Sequence, residues 1–364
     1  VSFAQTEYDD LIIGSGPNGL ACAITLAHAG RKVAVVERAA SAGGGTRTAE
    51  LTLPGFHHDI CSAVHPLGVA SPFFQSLPLQ DHGLKWLYGA AELAHPFDDG
   101  SVALLKRSIS ETAAQFSHEQ PRFEKLFGPL ALQFDELVKE IMQPMIHKPG
   151  DWKLLTRFGF KAMQSAQLFA YLSMRDERAR ALFMGSAAHS IGSLSSPGSA
   201  AVGLVLQLAG LSRGWPIAQG GSGQISRALV SYFKSIGGEV VLSHEVENVD
   251  DLPPAAHIFF DLTPQQILEI AGHRLPLSLV PSLKKFRYGP AVFKIDWALN
   301  GPIPWKNEAC GQAPTVHIGG SSAEIIAAEQ AVVDGDQCER PFVLLAQPSL
   351  IDPTRAPSGC HTAW

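Results

Sequence analysis

The sequence predicts an α/β protein whose first α/β region is interrupted by a long helix-rich stretch. Three observations predict it. A strand, a glycine loop, a helix and a second strand follow one another near the start. A helix–Gly–Gly–strand pattern returns after Trp215. Between the two, residues 108–190 carry apolar residues at helical spacing and few strand-like runs.

The first unit can be justified piece by piece. Tyr8 to Ile13 (YDDLII) reads as a short buried strand. Gly14, Gly16 and Gly19 follow in the run G-S-G-P-N-G, with Pro17 and Asn18 inside the loop. Leu20 to His28 reads as a helix, and Lys32 to Val36 (KVAVV) as a second strand ending in Glu37. The unit spans about 30 residues, with an acid about 20 positions after the glycines, as the dinucleotide fingerprint requires. Gly14 allows the tight turn, Gly16 lets a pyrophosphate approach the backbone, and Gly19 lets the helix pack close to the strand. The helix N-terminus offers free N–H groups and a positive dipole end to phosphates. Glu37 can accept hydrogen bonds from ribose hydroxyls. A glycine-rich turn that binds nothing is the competing reading, and the flanking elements argue against it.

The fingerprint does not choose between NAD and FAD. The next segment, Ser41 to Arg47 (SAGGGTR), helps. Gly43, Gly44 and Gly45 let backbone pass close to a large ligand a second time, where a plain NAD domain would place a helix. Arg38 or Arg47 can offset phosphate charge. A mobile loop is the alternative for the second glycine run.

Further along, residues 51–80 are loop-rich and hold His57, His58 and His65, whose spacing matches no common metal-ligand pattern. Asp98-Asp99-Gly100 reads as a hairpin turn between two apolar runs. Ser108-x-x-Glu111 is a capping box that opens the helical stretch. Lys153 to Met174 reads as one apolar helix with Lys153, Arg157 and Lys161 on successive turns. Such a helix can lie on a membrane surface; a helix lining a core or an apolar tunnel is the favoured reading. Gln224 to Ile236 reads as a helix, with Glu239–Leu242, Val246–Val249 and His257–Phe260 as strands after it. Thr263-Pro264-x-Gln266 caps another helix. Phe286 to Leu299 and Pro341 to Gln347 read as strands of a further sheet, with Lys294 on the face opposite Phe293 and Ile295.

Bulk properties narrow the class. The 364 residues suffice for about two domains. A composition 46% hydrophobic and 17% charged fits a globular protein with a large core. The net charge of −6 argues against non-specific nucleic-acid binding. Five scattered cysteines, with no C-x-x-C pair, indicate neither a redox dithiol nor a zinc site and fit a reducing compartment. The longest apolar stretch, Ala200 to Leu211, is too short to span a bilayer, and no secretory signal is visible. A cytoplasmic protein is expected, with peripheral membrane contact open and a mitochondrial location if the source is eukaryotic.

The motifs G-S-G-P-N-G-L, Glu37-Arg38 and G-G-G-T-R-T resemble FAD-dependent oxidoreductases of the phytoene-desaturase-like group. So do L-T-L-P-G-F-H-H-D-I-C-S-A-V-H-P, F-R-Y-G-P-A-V-F-K-I-D-W-A-L and R-A-P-S-G-C-H-T-A-W, and the resemblance covers nearly the whole chain. It implies an FAD-binding Rossmann-like domain of the glutathione-reductase type (residues 1–80 and 216–282) interleaved with an α+β substrate domain (81–215 and 283–364). It also implies that Gly14, Gly16 and Gly19 cradle the FAD pyrophosphate and that Glu37 holds the ribose. Gly43, Gly44 and Thr46 would lie along the phosphates towards the flavin, and Val246 would meet adenine through its backbone. Lys294 would be the catalytic candidate near flavin N5. Gly45 stands where many relatives carry arginine, so Arg47 is expected to take over part of that role. The chain is expected to be C-terminally truncated, because relatives continue to a segment that closes over the flavin.

These readings predict hydride removal from a C–H bond of an apolar or amphipathic small molecule, with the electron acceptor open. Two alternatives stand beside it. One is a non-catalytic binding or regulatory protein on the same fold. The other is a NAD-dependent dehydrogenase, against which the second glycine run argues.

Overall fold

The computed structural model describes residues 3–144 and 146–364. Its first sheet is parallel and four-stranded, in the order Ala255–Phe260, Tyr8–Ile13, Val33–Val36, Glu239–Val241. Tyr8–Ile13 and Val33–Val36 are buried almost throughout, which is why they read as continuous apolar runs rather than alternating ones. The helix Pro17–His28 joins them, opened by Pro17 in its first turn. It packs with the helix Gly223–Ser235 over one core of Ile12, Leu20, Ile24, Val35, Leu229 and Phe233. The fold is thus mixed α/β, with a Rossmann-like sheet assembled from both ends of a long interruption.

The interruption is helical, as the periodicity predicts. Helices from Ile109–Ala114 to Ala200–Ser212 bury Phe116, Phe123, Phe127, Phe134, Phe169 and Phe183 in a second, larger core. Ser108 caps the first of them by accepting from the Glu111 N–H at 3.2 Å. The Glu111 carboxylate turns to Lys106 instead, so only half of the capping box forms. Asp98-Asp99-Gly100 does connect two antiparallel strands, Leu93–Pro96 and Val102–Leu105. These join Thr315–Ile318 and Val343–Ala346 in a second four-stranded sheet. The Thr263 capping box is complete, with Pro264 at the start of its helix.

Four expectations are corrected. Lys153–Met174 is not one helix but two, Trp152–Ala162 and Ala166–Ser173. The break comes where Ser165 accepts from Leu168 N and starts a new helix. Val246–Val249 is not a strand: the chain turns at Ser243 (φ +53°), and Asn248 caps a short 3₁₀ turn at Val249–Asp251. Phe286–Leu299 forms a paired strand only at Trp297–Leu299. Gly289-Pro290 interrupts the earlier part, since proline supplies no N–H to a ladder and restricts the residue before it. Trp297–Leu299 pairs with His361–Ala363, so it does not share a sheet with Val343–Ala346. Among the described residues, no helix is long and apolar enough to cross a membrane.

Candidate functional site

Gly14 sits where the first strand ends, with φ +102°, a conformation that disfavours any side chain. A Cβ there would also lie 2.5 Å from the carbonyl oxygen of Asp261, the residue after the strand Ala255–Phe260. A Cβ on Gly19 would lie 2.4 Å from the Gly14 oxygen. The helix Pro17–His28 therefore starts hard against two strand ends. Pro17 has no N–H, and Gly19 N donates to Asp261 Oδ2 at 2.9 Å. Asn18, exposed in the first turn, keeps an N–H without a partner among the described residues. The helix start is thus partly occupied by the chain's own carboxylate, a contact that sequence reasoning missed. Asp261 ends its strand as Glu37 ends Val33–Val36, and that parallel was the available signal.

Glu37 is the centre of a network. Its Oε2 accepts from Ser15 N (3.1 Å) and Ser15 Oγ (2.6 Å), and its Oε1 from Ala39 N (2.9 Å). A carboxylate has about four acceptor sites, so about one stays open, and rotation of the Ser15 hydroxyl frees another. Ser15 Oγ also accepts from Gly43 N at 3.2 Å, tying the two glycine runs together. Glu37 and Arg38 line a cleft of about 80 Å³ with Gly14, His244, Val246 and Gln266. Val246 is buried there, and neither its N–H nor its C=O has a hydrogen-bond partner among the described residues. Arg38 is exposed, 3.8 Å from Glu245.

The second glycine run continues from this cleft. A Cβ on Gly44 would lie 3.1 Å from Gly16 Cα, so the two runs pass back to back. A Cβ on Gly45 would lie 3.6 Å from Cys61. Thr46 Oγ1 donates to Gly43 O at 2.8 Å, and Arg47 Nε donates to Gly44 O at 2.7 Å, so both residues staple the run. Beyond Cys61, residues 62–68 line a second, larger cavity of about 370 Å³. Its other walls come from His189, Leu206, Trp215, Thr315, Leu344–Ala346 and Trp364.

A buried ion pair braces the junction. Asp59 and Arg355 are both fully buried and meet at 2.8 Å. Asp59 Oδ1 also accepts from Thr48 Oγ1 (2.8 Å) and Ser222 N (2.7 Å). One carboxylate thus holds the hairpin Thr48–Glu50/His57–Asp59, the Gly220–Gly223 loop and the C-terminal stretch together. Nothing in the sequence around Asp59 marks it for this role.

Lys294 lies outside any strand. Its ammonium bonds Asp296 and stands 5.0 Å from the Trp364 ring centre, and Lys294 is not among the residues that line the larger cavity. His58 lies 3.4 Å from Asp296, and burial pushes its pKa down. Burial also pushes His65, His95 and His189 down to about 4 and His317 well below its ordinary value. These histidines are neutral near pH 7. Among the described residues no three His, Cys, Asp or Glu gather as a metal site.

Comparison with known proteins agrees with this geometry. Residues 12–77 match the family model of an NAD(P)-binding Rossmann-like domain. The chain is 25% identical to pyridine nucleotide-disulfide oxidoreductase domain-containing protein 2 of Rattus norvegicus, over 98% of this chain and 72% of the relative. An oxidoreductase from Methanosarcina mazei superposes with a TM-score of 0.64 at 15% identity, over 97% of this chain and 77% of its own. Putrescine oxidase gives 0.58 at 17% identity (98% and 74%). A Rab GDI from Plasmodium falciparum gives 0.57 at 13% identity (98% and 81%). These superpositions establish the fold. Because it serves both oxidases and a Rab GDI, the fold alone does not decide the activity.

Proposed function

We propose that the protein is an FAD-dependent oxidoreductase that removes hydride from a C–H bond of an apolar or amphipathic substrate. The observation that carries this reading is the path of the second glycine run. It leaves the Glu37 cleft, passes back to back with Gly16, and reaches Cys61 at the edge of the apolar cavity. A plain nicotinamide site needs no such second run. An extended dinucleotide would lie along it, with adenosine at Glu37 and Val246, diphosphate near Asn18 and Gly44, and its ring towards residues 62–68.

When bound, FAD supplies hydride acceptance. The chain's own residues do the rest. Glu37 would hold the ribose, and the open N–H and C=O of Val246 suit the edge of adenine. The apolar walls would exclude water and hold the substrate carbon, which gives up a hydride while a neighbouring atom loses a proton. Lys294 does not line the cavity; tied to Asp296 and set over the Trp364 ring, it is the candidate to position Trp364 in the cavity wall. The rat relative carries a disulfide oxidoreductase name, but the cysteines here are all free and separated, which disfavours dithiol chemistry. The strict glycine pattern supports catalysis over a regulatory role. The test is FAD titration of the purified protein: a yellow complex is expected, and a protein that takes up no FAD overturns the reading.

A peripheral membrane contact has one supporting observation. Trp152, Phe160 and Met163 project from one face of Trp152–Ala162 and are 65%, 75% and 72% exposed, flanked by Lys153 and Lys161. Co-sedimentation with anionic vesicles, lost in Trp152→Ser/Phe160→Ser, is expected; sedimentation no greater than with neutral vesicles contradicts it.

A further inference from the structure

Gly16 is a glycine for reasons of space, not of conformation. Its backbone is extended (φ −62°, ψ 168°), as any residue allows. A Cβ on it, however, would lie 2.7 Å from Asp261 Oδ2. The space beside this glycine is where the fingerprint lets a pyrophosphate approach the backbone. In this chain a carboxylate oxygen stands in that space. The same oxygen accepts from Gly19 N at 2.9 Å, so it also holds one of the N–H groups that a helix start offers to an anion.

The backbone of Asp261 is fixed. Its N–H donates to Ile13 O at 2.8 Å, and its carbonyl oxygen lies 2.5 Å from where a Cβ on Gly14 would stand. The main chain has no room to withdraw, so the carboxylate leaves the gap only by turning its side chain. Among the described residues no cation pairs with it. Arg38 stands 3.8 Å from Glu245, and Arg47 Nε donates to Gly44 O at 2.7 Å. The N–H groups of Gly16 and Asn18 make no hydrogen bond among the described residues and stay available to a phosphate. The start of the helix thus offers an anion two free N–H groups and confronts it with one resident carboxylate.

We infer, on the dinucleotide reading of the cleft, that Asp261 sets how tightly the site holds a diphosphate. Its carboxylate competes with the ligand for the gap at Gly16 and for Gly19 N. The chain therefore holds the dinucleotide less tightly than its glycine cradle alone allows. Two costs arise when a diphosphate arrives. Like charges at close range repel, and in a partly buried site the repulsion is several times stronger than in bulk water. The bond from Gly19 N must also be given up or shared. Adenosine, which has no phosphate, meets neither cost, since the cleft lined by Glu37 and Val246 does not include Asp261. Asparagine at this position keeps the shape and an acceptor for Gly19 N but removes the charge. Alanine removes the charge without adding a donor.

Calorimetric titration with FAD, ADP and adenosine tests this on the full chain, comparing the parent with Asp261→Asn and Asp261→Ala. Thermal unfolding checks that each variant is folded, and either folded variant suffices for the comparison. Both variants should bind FAD and ADP more tightly than the parent. For Asp261→Asn the gain should be at least about tenfold, a gap of about 1.4 kcal/mol. Adenosine should bind parent and variants within about twofold of one another. Unchanged or weaker binding of FAD and ADP in the folded variants overturns the inference. So does an equal gain for adenosine, which would place the effect away from the phosphates, and so does a failure of parent and variants to bind any of the three probes. A gain for ADP without FAD uptake sinks only the flavoprotein reading; FAD uptake with no gain in the variants sinks only this inference.

Discussion

The Glu37 cleft and the apolar cavity are built by opposite means. Nearly half of the cleft's lining comes from one continuous unit, residues 13–38, and the rest from the loop at His244–Val246 and from Leu262, Gln266 and Ile270. It is small, charged and dense in backbone contacts. The cavity takes its wall from several distant segments between Ser62 and Trp364 and holds no charged side chain. A ligand with fixed chemistry can be read by a local motif whose glycines and acid each answer one of its groups. A variable ligand is read by surfaces that only tertiary packing brings together.

The joint between the two regions should show the largest effect when broken. Arg355→Met would leave Asp59 charged, fully buried and without its cation. A loss of about 3–5 kcal/mol is expected, measured as the shift in urea midpoint. A loss below about 1 kcal/mol would mean that Asp59 is satisfied by Thr48 and Ser222 alone.

Gly14→Ala comes next and should strike the cleft without touching the cavity. It places a Cβ at φ +102° and 2.5 Å from Asp261 O. The strained conformation costs about 1–3 kcal/mol, and the overlap adds to it. FAD uptake should disappear while thermal unfolding still shows a folded protein. Unchanged FAD uptake would show that the cleft tolerates the added Cβ.

Glu37→Ala removes the proposed ribose acceptor and, with it, the bonds from Ser15 and Ala39. Charge-assisted bonds contribute about 1.5–3 kcal/mol each, so FAD affinity should fall at least about tenfold. Lys294→Met should act on the other side: slower flavin reduction by substrate, with FAD affinity within about twofold of the parent.

A separate effect concerns pH. His65, His95 and His189 titrate near 4 when folded and near 6.5 when unfolded, because burial disfavours their charged form. Between those values the unfolded chain binds more protons. Their contribution to stability is therefore complete above about pH 6.5 and lost as pH falls towards 4. Urea midpoints at pH 7 and pH 5 should differ in that direction, and His189→Asn should shrink the difference. A midpoint that rises on acidification contradicts the assignment.

The same contrast explains what was legible beforehand. Tyr8–Ile13, the glycines, Pro17–His28 and Glu37 declare themselves because each depends on neighbours within a few residues. The Thr263 capping box is legible for the same reason. Ser15 was passed over as a spacer, although its hydroxyl joins Glu37 to Gly43. Asp59 and Arg355 lie almost three hundred positions apart, and nothing local marks them as partners. Lys294 alternates with Phe293 and Ile295, yet residues 286–296 pair with no other strand, so the alternation has no sheet face to refer to. The residues that line the larger cavity, His65 and Thr315 among them, show no motif at all; only the fold brings them together.

The central claim is that the Glu37 cleft and the second glycine run form one binding path for FAD. Competitive titration tests it most directly, with FAD, ADP-ribose and NADH compared on the parent and on Gly44→Ala, whose Cβ would meet Gly16 Cα at 3.1 Å. The account predicts that FAD binds most tightly, that ADP-ribose competes weakly, and that Gly44→Ala reduces FAD binding sharply. Tighter binding of NADH than of FAD, or FAD binding unchanged in Gly44→Ala, would contradict it.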